Sequence, residues 1–408
     1  MDRNLAPTTH ELHGGPGIES WSRRPSFLLF STPAVGEEEM LEVADTLRSG
    51  WITTGPKTQQ FESAFRSKVG APAALGLNSC TAGLHLGLLA LGIRPGDEVI
   101  TTPMTFIATS TAIMEAGATP VFVDVEPTSG NLDAARVEAA ITSRTRAILP
   151  VHLFGLMCDM RALRAIADRH GLAIVEDAAH CVEGTRDGVR PGALGDTACF
   201  SFYATKNLTC GEGGAVIVRD AALYEKLRLL RVHGMNKIAA DRAREGYTHW
   251  DMVTMGWKYN MSNIEAALLL PQFARLDAKL AQRQALAQRY AQRLAAVPGI
   301  RLPTQSSGPN DVHARHLFPI WIANGKRDEV IAELKQRRVD AMVNYRAIHL
   351  LTYFQDRLGC KRGDFPIAED IGEATLSLPF FPTMSHQDAD TVAGHLLDIL
   401  EEPRHATG

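Results

Sequence analysis

Several features are scarce in this sequence of 408 residues, and each scarcity excludes a class of protein. Lys and Arg number 42 against 46 Asp and Glu, a formal net charge of −4, so the basic excess typical of nucleic-acid-binding proteins is missing. The unbroken aliphatic stretches are short, such as AALLL at 266–270, whereas a membrane span needs roughly 20 apolar residues. The N-terminus lacks an apolar segment flanked by basic residues, so we expect no secretory signal.

Cysteines and metal-ligand patterns are also sparse. The chain has six Cys and no CxxC pair, which favours reduced thiols and a cytoplasmic location over a disulfide scaffold. No cluster of His, Asp, Glu and Cys has ligand spacing, so we expect no metal site. Hydrophobic residues make up 45% and charged residues 22%, as in an ordinary soluble globular protein.

The pattern along the chain predicts two unequal units behind a tail. Residues 1–27 are polar and rich in Gly and Pro, and we interpret them as flexible. Over 28–270, short apolar runs alternate with helical patterns, which predicts an α/β domain whose mainly parallel mixed sheet is covered by helices. Residues 271–408 mix both patterns and predict a smaller α+β domain, and Pro271 predicts a break in the helix over 262–297. The strands of the large sheet are predicted at 73–78, 97–102, 119–125, 146–155, 172–178, 198–204 and 214–220.

Polar segments follow several of these strands, where ligands bind in open α/β sheets. In NSCTAGLHLGLLAL (78–91), small and hydroxyl residues open a helix, whose free N–H groups and dipole favour a phosphate to which Thr81 could add a hydroxyl. An ordinary Ser/Thr helix cap is the alternative. In IVEDAAH (174–180), Asp177 could pair with a protonated heteroaromatic nitrogen, because a buried carboxylate needs a positive or hydrogen-bonding partner. A helix cap or a metal ligand is the alternative there.

Two further segments complete a possible site. In SFYATKNLTCGEGGAVIV (201–218), buried surroundings would lower the pKa of Lys206, as suits a Schiff-base amine, although most lysines are solvated surface charges. Ser201 could reach a phosphate, and the glycines of GEGG allow positive φ and close backbone approach, or simply a tight turn. In the segment 101–124, Phe106 could cover a flat ring or could be a core residue. Together the four segments contain the amine, acid, ring stack and phosphate cradle that pyridoxal 5′-phosphate needs.

With these segments in view, the chain resembles the DegT/StrS family of sugar aminotransferases, which implies the type I fold of pyridoxal-phosphate-dependent aminotransferases. Within that family it is most similar to the members that aminate the 4-keto carbon of a UDP-pentose, the UDP-4-amino-4-deoxy-L-arabinose–oxoglutarate aminotransferases. The matching stretches, in family order, are GWITTGPK (50–57), NSCTAGLHL (78–86), GDEVITTPMTFIAT (96–109), GATPVFVDV (117–125), PVHLFG (150–155), IVEDAAH (174–180), FSFYATKNLTCGEGG (200–214) and GWKYNMSNIEAAL (256–268). Weaker similarity continues through HARHLFPI (313–320) and NYRAIHLLTYF (344–354).

The resemblance implies a role for residues around the ring of the cofactor. The lysine that forms an aldimine with pyridoxal phosphate falls on Lys206, and the acid at the pyridinium nitrogen falls on Asp177. The stacking aromatic falls on Phe106. His180 matches a position near the ring oxygen, where many relatives carry Gln.

The resemblance also implies which residues bind the phosphate of the cofactor. The cradle falls on Cys80, Thr81 and Ser201, with Cys80 in the place of the usual Gly or Ala. Asn260 matches an asparagine that reaches the phosphate of the neighbouring subunit, which implies a homodimer with shared active sites. Asn344 departs from the histidine of the UDP-pentose enzymes in the segment that faces the sugar.

The implied activity is transamination with ping-pong kinetics, in amino sugar biosynthesis. An amino group would move from glutamate to the keto carbon of a nucleotide-linked keto sugar, for which UDP-4-keto-pentose is the first choice. Glutamine as donor, with another keto hexose or a cyclitol as acceptor, is an alternative, as is a non-catalytic regulator on the same fold. Related sugar dehydratases carry His where this chain has Lys206, so Lys206 and Asp177 together favour the transaminase.

Overall fold

The computed structural model describes residues 27–237, 249–295, 297–306 and 308–401, and the predicted tail therefore lies outside the described residues except for Phe27. The strands are β1 (Ala73–Leu77), β2 (Glu98–Thr101), β3 (Thr119–Phe122), β4 (Thr145–Leu149), β5 (Ala173–Asp177), β6 (Thr197–Ser201), β7 (Gly214–Val218), β8 (Ile300–Arg301), β9 (Phe318–Ile322) and β10 (Thr375–Leu378). The helices are α1 (Glu37–Ser49), α2 (Pro56–Val69), α3 (Cys80–Ala90), α4 (Ile107–Glu115), α5 (Ala134–Val137), α6 (Met160–His170), α7 (Ala221–Leu230), α8 (Asn263–Leu269), α9 (Gln272–Leu294), α10 (Arg327–Gln336), α11 (Thr352–Leu358), α12 (Pro366–Ala374) and α13 (His386–Glu401).

The seven predicted strands form one mixed sheet in the order β1-β7-β6-β5-β4-β2-β3. The strands β3, β2, β4, β5 and β6 run parallel, and β7 is antiparallel to both β6 and β1. Apolar side chains alternate between two cores: α3, α4 and α7 pack with one set, and α2, α6 and α8 pack with the other. This arrangement confirms the mainly parallel mixed sheet covered by helices.

A second sheet, in the order β10-β9-β8, belongs to the C-terminal part of the chain and is antiparallel. The predicted break at Pro271 is confirmed, since α8 ends before it and α9 begins after it. Helix α9 then packs against both sheets. Leu276 lies in a core of the large sheet, and Leu286 and Tyr290 lie in the core of the small sheet. The division of the chain at residue 270 stays a prediction, because this helix belongs to both packing arrangements.

Three further observations concern the described residues as a whole. No helix among them is long and apolar enough to cross a membrane. They contain no group of three or more His, Cys, Asp and Glu side chains that could hold a metal ion. All six cysteines of the chain are free thiols, and all but Cys360 are buried.

The two acids at the end of β5 point to opposite faces of the sheet, as successive strand residues do. The Glu176 carboxylate is fully buried and contacts His152 Nε2 at 2.8 Å. It also accepts hydrogen bonds from the backbone N–H groups of Gly192 and Gly195, at 2.9 and 2.7 Å. Glu176 therefore ties the segment after β4 and the loop before β6 to β5, and leaves Asp177 to face the other side.

Replacing this buried anchor is expected to destabilise the whole large unit. Glu176→Ala leaves His152 and two buried N–H groups without their acceptor, and we expect it to lower the free energy of unfolding by about 3 kcal/mol or more. Urea unfolding followed by circular dichroism measures the change. Glu225→Ala is the control, because its pair with Arg228 on α7 lies at the surface and should contribute less than about 0.5 kcal/mol. Equal midpoints for the two variants would contradict this role for Glu176.

Candidate active site

A cavity of about 550 Å³ opens at the carboxyl ends of the parallel strands. It is closed on one side by residues from the C-terminal part of the chain, among them His316, Asn344 and Tyr345. Seven of the eight residues predicted from the sequence line it, namely Cys80, Thr81, Phe106, Asp177, His180, Ser201 and Lys206. The structure thus brings together side chains that are scattered over the first half of the chain.

Asp177 ends β5 as a buried carboxylate with few partners. It accepts hydrogen bonds from Thr109 Oγ1 at 2.8 Å and from the backbone N–H of Ala179 at 3.1 Å. Burial raises the pKa of Asp177, and these two hydrogen bonds oppose that rise only in part. The ionised form therefore needs a cationic partner in the cavity. Thr109, which lies in a segment that the sequence singled out, was not predicted as its partner.

Lys206 lies in the loop after β6, where its backbone N–H closes a turn to Tyr203 O at 2.9 Å. Its side chain is half-buried and borders the cavity, and Nζ lies 3.3 Å from His316 Nε2. Burial lowers the pKa of Lys206 to about 8, although Asp177 and Cys80 act in the opposite direction. About a tenth of this amine is consequently neutral, and nucleophilic, at pH 7, which is far more than for a solvated lysine.

His180 is a neutral imidazole with a defined tautomer. Its Nδ1 accepts the backbone N–H of Phe154 at 3.2 Å, so the proton lies on Nε2, 3.2 Å from the Tyr345 hydroxyl oxygen. Burial and the nearby Lys206 lower the pKa of His180 well below its usual range. The ring also packs against His316, with centroids 4.4 Å apart. His316 and Tyr345 lie in stretches that resemble the family, but the sequence predicted a role for neither residue.

The start of α3 faces the cavity as a possible anion cradle. Ser79 caps this helix, since its Oγ accepts a hydrogen bond from the backbone N–H of Ala82 at 3.0 Å. The other N–H groups of the first turn have no acceptor within the helix and are available to a ligand. A Cβ on Gly214 would lie 2.5 Å from Cys80 N, so only glycine lets β7 begin this close to α3. Gly214 also pairs in register with Ser201, which fixes both ends of the loop that carries Lys206.

Cys80, which stands where the family usually has Gly or Ala, directs its side chain toward Asp177. Its Sγ lies 3.9 Å from Asp177 Oδ1, and burial raises the pKa of the Cys80 thiol well above its usual range. A neutral thiol is a weak donor to a carboxylate, so the sulfur faces the acid and leaves the backbone N–H of Cys80 for a ligand.

Phe106 and Asn260 differ from the other predicted residues. Phe106 precedes α4 and is 55% exposed, so its ring is free to cover a flat ligand. Asn260 does not line the cavity of its own chain. Its Nδ2 donates to Thr54 Oγ1 at 2.6 Å, and its Oδ1 accepts from Lys258 Nζ at 2.5 Å. The role predicted for Asn260 toward a second subunit stays a prediction, as do the roles of the other site residues.

Comparison with known proteins gives matches over nearly the whole chain. A family model described as the DegT/DnrJ/EryC1/StrS aminotransferase family matches residues 33–397. The spore coat polysaccharide biosynthesis protein SpsC of Bacillus subtilis is 43% identical, over 93% of this chain and 98% of its own. Among solved structures, DesV of S. venezuelae is 38% identical with a TM-score of 0.83, covering 90% of this chain and 95% of DesV. Spr1654 of Streptococcus pneumoniae, in its PMP form, is 33% identical with a TM-score of 0.86, covering 91% and 99%.

The electrostatics of the cavity predict how Lys206 titrates. In the cofactor-free protein, its acetylation rate should rise with a midpoint near pH 8, because only the neutral amine reacts. Asp177→Asn removes a carboxylate that favours the charged amine, so the midpoint should move to lower pH. Competitive acetylation with mass spectrometry of the Lys206 peptide measures both midpoints. Asp133→Asn, at the remote N-cap of α5, should leave the midpoint unchanged. A midpoint near that of a solvated lysine, or a rise in Asp177→Asn, would contradict this account.

Proposed function

The chain belongs to the DegT/DnrJ/EryC1/StrS aminotransferase family, and we propose that it transfers the amino group of glutamate to the keto carbon of a nucleotide-linked keto sugar. Pyridoxal 5′-phosphate is its cofactor. One observation carries the proposal: an amine of lowered pKa, Lys206, and a buried carboxylate in need of a cation, Asp177, face one cavity. UDP-4-keto-pentose is the first acceptor to test.

The residues of the cavity fit the cofactor in chemistry and charge. Asp177 offers a carboxylate whose ionised form would be stabilised by a protonated ring nitrogen. The N-terminus of α3 and the hydroxyls of Thr81 and Ser201 suit a phosphate. Phe106 offers an exposed aromatic face for the ring. No carboxylate other than Asp177 and Glu212 is among the described residues that line the cavity.

The chemistry divides between the cofactor and the chain. When bound, pyridoxal phosphate supplies an aldehyde that condenses with amines and a ring that accepts the electron pair left by a departing α-proton. Lys206 Nζ would take the α-proton of the amino donor, since a pKa of about 8 leaves part of its amine neutral near physiological pH. It would later deliver a proton to the former keto carbon of the acceptor. Asp177 would hold the ring nitrogen in its protonated form throughout.

The wall contributed by the C-terminal part of the chain supports a polar acceptor. Asn344 Oδ1 is buried at the cavity and has no hydrogen-bond partner among the described residues. A sugar hydroxyl would satisfy this acceptor, and the cavity is large enough for a sugar beside the cofactor ring. SpsC is named for polysaccharide biosynthesis, which supports the same class of substrate. The free thiols support our placing of the enzyme in the cytoplasm.

The amino-donor half of the reaction tests the proposal directly. L-glutamate should bleach the visible band of the holoenzyme, and a keto sugar from a panel led by UDP-4-keto-pentose should restore it. Lys206→Ala should bind pyridoxamine 5′-phosphate yet lose turnover by at least about 10³-fold. Lys335→Ala, an exposed lysine on α10, is the matched control and should retain full activity.

The outcomes separate the alternatives. A holoenzyme that bleaches with glutamine and not with glutamate would replace the donor and favour a cyclitol or another ketone as the acceptor. A holoenzyme that responds to no amino donor would favour the regulator. Normal turnover by Lys206→Ala would remove this residue from the mechanism.

We further propose that two copies of the chain form a homodimer with shared sites. Asn260 does not line its own cavity, and a group of exposed apolar side chains lies near it in sequence, namely Trp250, Met252, Val253 and Met255. Such exposed apolar groups are typical of an interface. Asn260 of one copy would then reach the phosphate held by the other.

Mixing two inactive variants tests this arrangement. If Lys206→Ala and Asn260→Ala are each inactive and exchange subunits, each mixed dimer retains one intact site, so about a quarter of wild-type activity should return. Sedimentation should show a dimer before and after exchange. No recovery in mixtures that mass spectrometry shows to be mixed dimers would place Asn260 in the site of its own chain. A monomer in sedimentation would exclude shared sites altogether.

A further inference from the structure

A second, smaller cavity lies behind Lys206. Thr205, Lys206 and His316 line both this cavity and the large one, so these residues form the wall between them. The remaining walls come from the segments 31–34 and 380–382, from helix α9, and from Ala204, Asn207 and Thr209 beside Lys206. The cavity offers about 20 Å³ to the centre of a water-sized sphere, which is room for one or two water molecules or one small ion.

The ionisable side chains that line this cavity include cations but no carboxylate. Its lining includes three cationic residues, Lys206, Lys279 and Arg283, and contains no Asp or Glu. Arg283 is paired through Nη2 with Glu183, which does not line the cavity. Burial lowers the pKa of Lys279 and Glu39 opposes this shift, although no ion pair of Lys279 with a carboxylate occurs among the residues described. Lys279 therefore places at the wall of the cavity a positive charge that is only partly balanced.

Three buried nitrogen atoms of the lining residues lack a hydrogen-bond partner among the described residues. Arg283 is only 2% exposed, yet its Nε and Nη1 have no hydrogen-bond partner in the part of the chain that the structure describes. The same is true of His316 Nδ1, on a side chain that is 5% exposed. Lys279 Nζ donates to Ala34 O at 3.0 Å, which engages one of the three ammonium protons. Buried polar atoms without partners are rare in folded proteins, and a bound water or ion is a common explanation for them.

We propose that this cavity binds a small inorganic anion of the size of chloride, held by Arg283 and Lys279 with His316 as a further donor. An anion accepts from every one of these groups and offsets the charge of Lys279, whereas water would leave that charge in place. Phosphate and the carboxylate of an amino acid are too large for the space. The inference does not depend on which sugar the enzyme aminates.

An anion in the small cavity would affect the protonation of Lys206. It would be separated from the large cavity by the wall that Thr205, Lys206 and His316 form. His316 Nε2 already faces Lys206 Nζ, so a proton held on Nδ1 by the anion leaves Nε2 as an acceptor for the lysine. Occupancy by an anion therefore favours the protonated form of Lys206, and loss of the anion favours the neutral amine.

Bromide provides the structural test, because it replaces chloride and scatters anomalously. Crystals of the holoenzyme grown in sodium bromide should show an anomalous peak in this cavity. Arg283→Lys keeps a cation beside Glu183 but removes the two unpartnered donors, and should lose the peak. Arg289→Lys is the matched control on the same helix, because this arginine pairs with Asp390 away from the cavity. Density for water without an anomalous peak at molar bromide in the wild type would overturn the proposal.

A solution measurement covers variants that do not crystallise. The thermal midpoint of the holoenzyme should rise more in sodium bromide than in sodium gluconate at equal ionic strength, because gluconate is too large for the cavity. The halide dissociation constant should be at least about tenfold higher in Arg283→Lys and in Lys279→Met, and unchanged in Arg289→Lys. Equal midpoints in the two salts for the wild type would mark any crystalline peak as an adventitious ion only and would overturn the proposal.

Discussion

The carboxyl edge of the large sheet depends on one buried carboxylate, that of Glu176. It joins β5 to His152 after β4 and to the backbone of Gly192 and Gly195 before β6. Because neighbouring strand residues face opposite sides, a side chain fixed on one face determines where its neighbour stands on the other. The position of Asp177, and with it the orientation of any group that Asp177 holds, therefore follows from an interaction on the far side of the sheet.

On the near side, burial acts on two groups of opposite charge. It raises the pKa of Asp177 and lowers that of Lys206, and each group partly offsets the effect on the other. Both would be more stable in water, and the sheet and the C-terminal part of the chain together keep water from them. A cofactor that combines a basic ring nitrogen with an anionic phosphate would satisfy the acid and the α3 N-terminus at once. Its binding would thus reduce the cost of burying these groups.

The sequence predicted the features that depend on neighbouring residues, and it missed the contacts between residues far apart in the chain. All seven strands of the large sheet were found, because each is a short apolar run bounded by turn residues. Lys206 and Asp177 were singled out because each lies at or just beyond the end of such a run. Their partners could not be found in this way: Thr109 lies 68 residues from Asp177 and His316 lies 110 residues from Lys206. No local pattern distinguishes such residues, and the role predicted for Asn260 concerns a second chain, which one sequence does not describe.

The register between β6 and β7 has a consequence for the mobility of Lys206. Ser201 and Gly214 face each other across the two strands, so the loop between them is closed at its neck by the sheet itself. The conformational freedom of that loop is lost once, when the chain folds, and not again in every catalytic cycle. The amine of Lys206 is thus preorganised by strand pairing, and an insertion or deletion within the loop would change its reach without changing either strand.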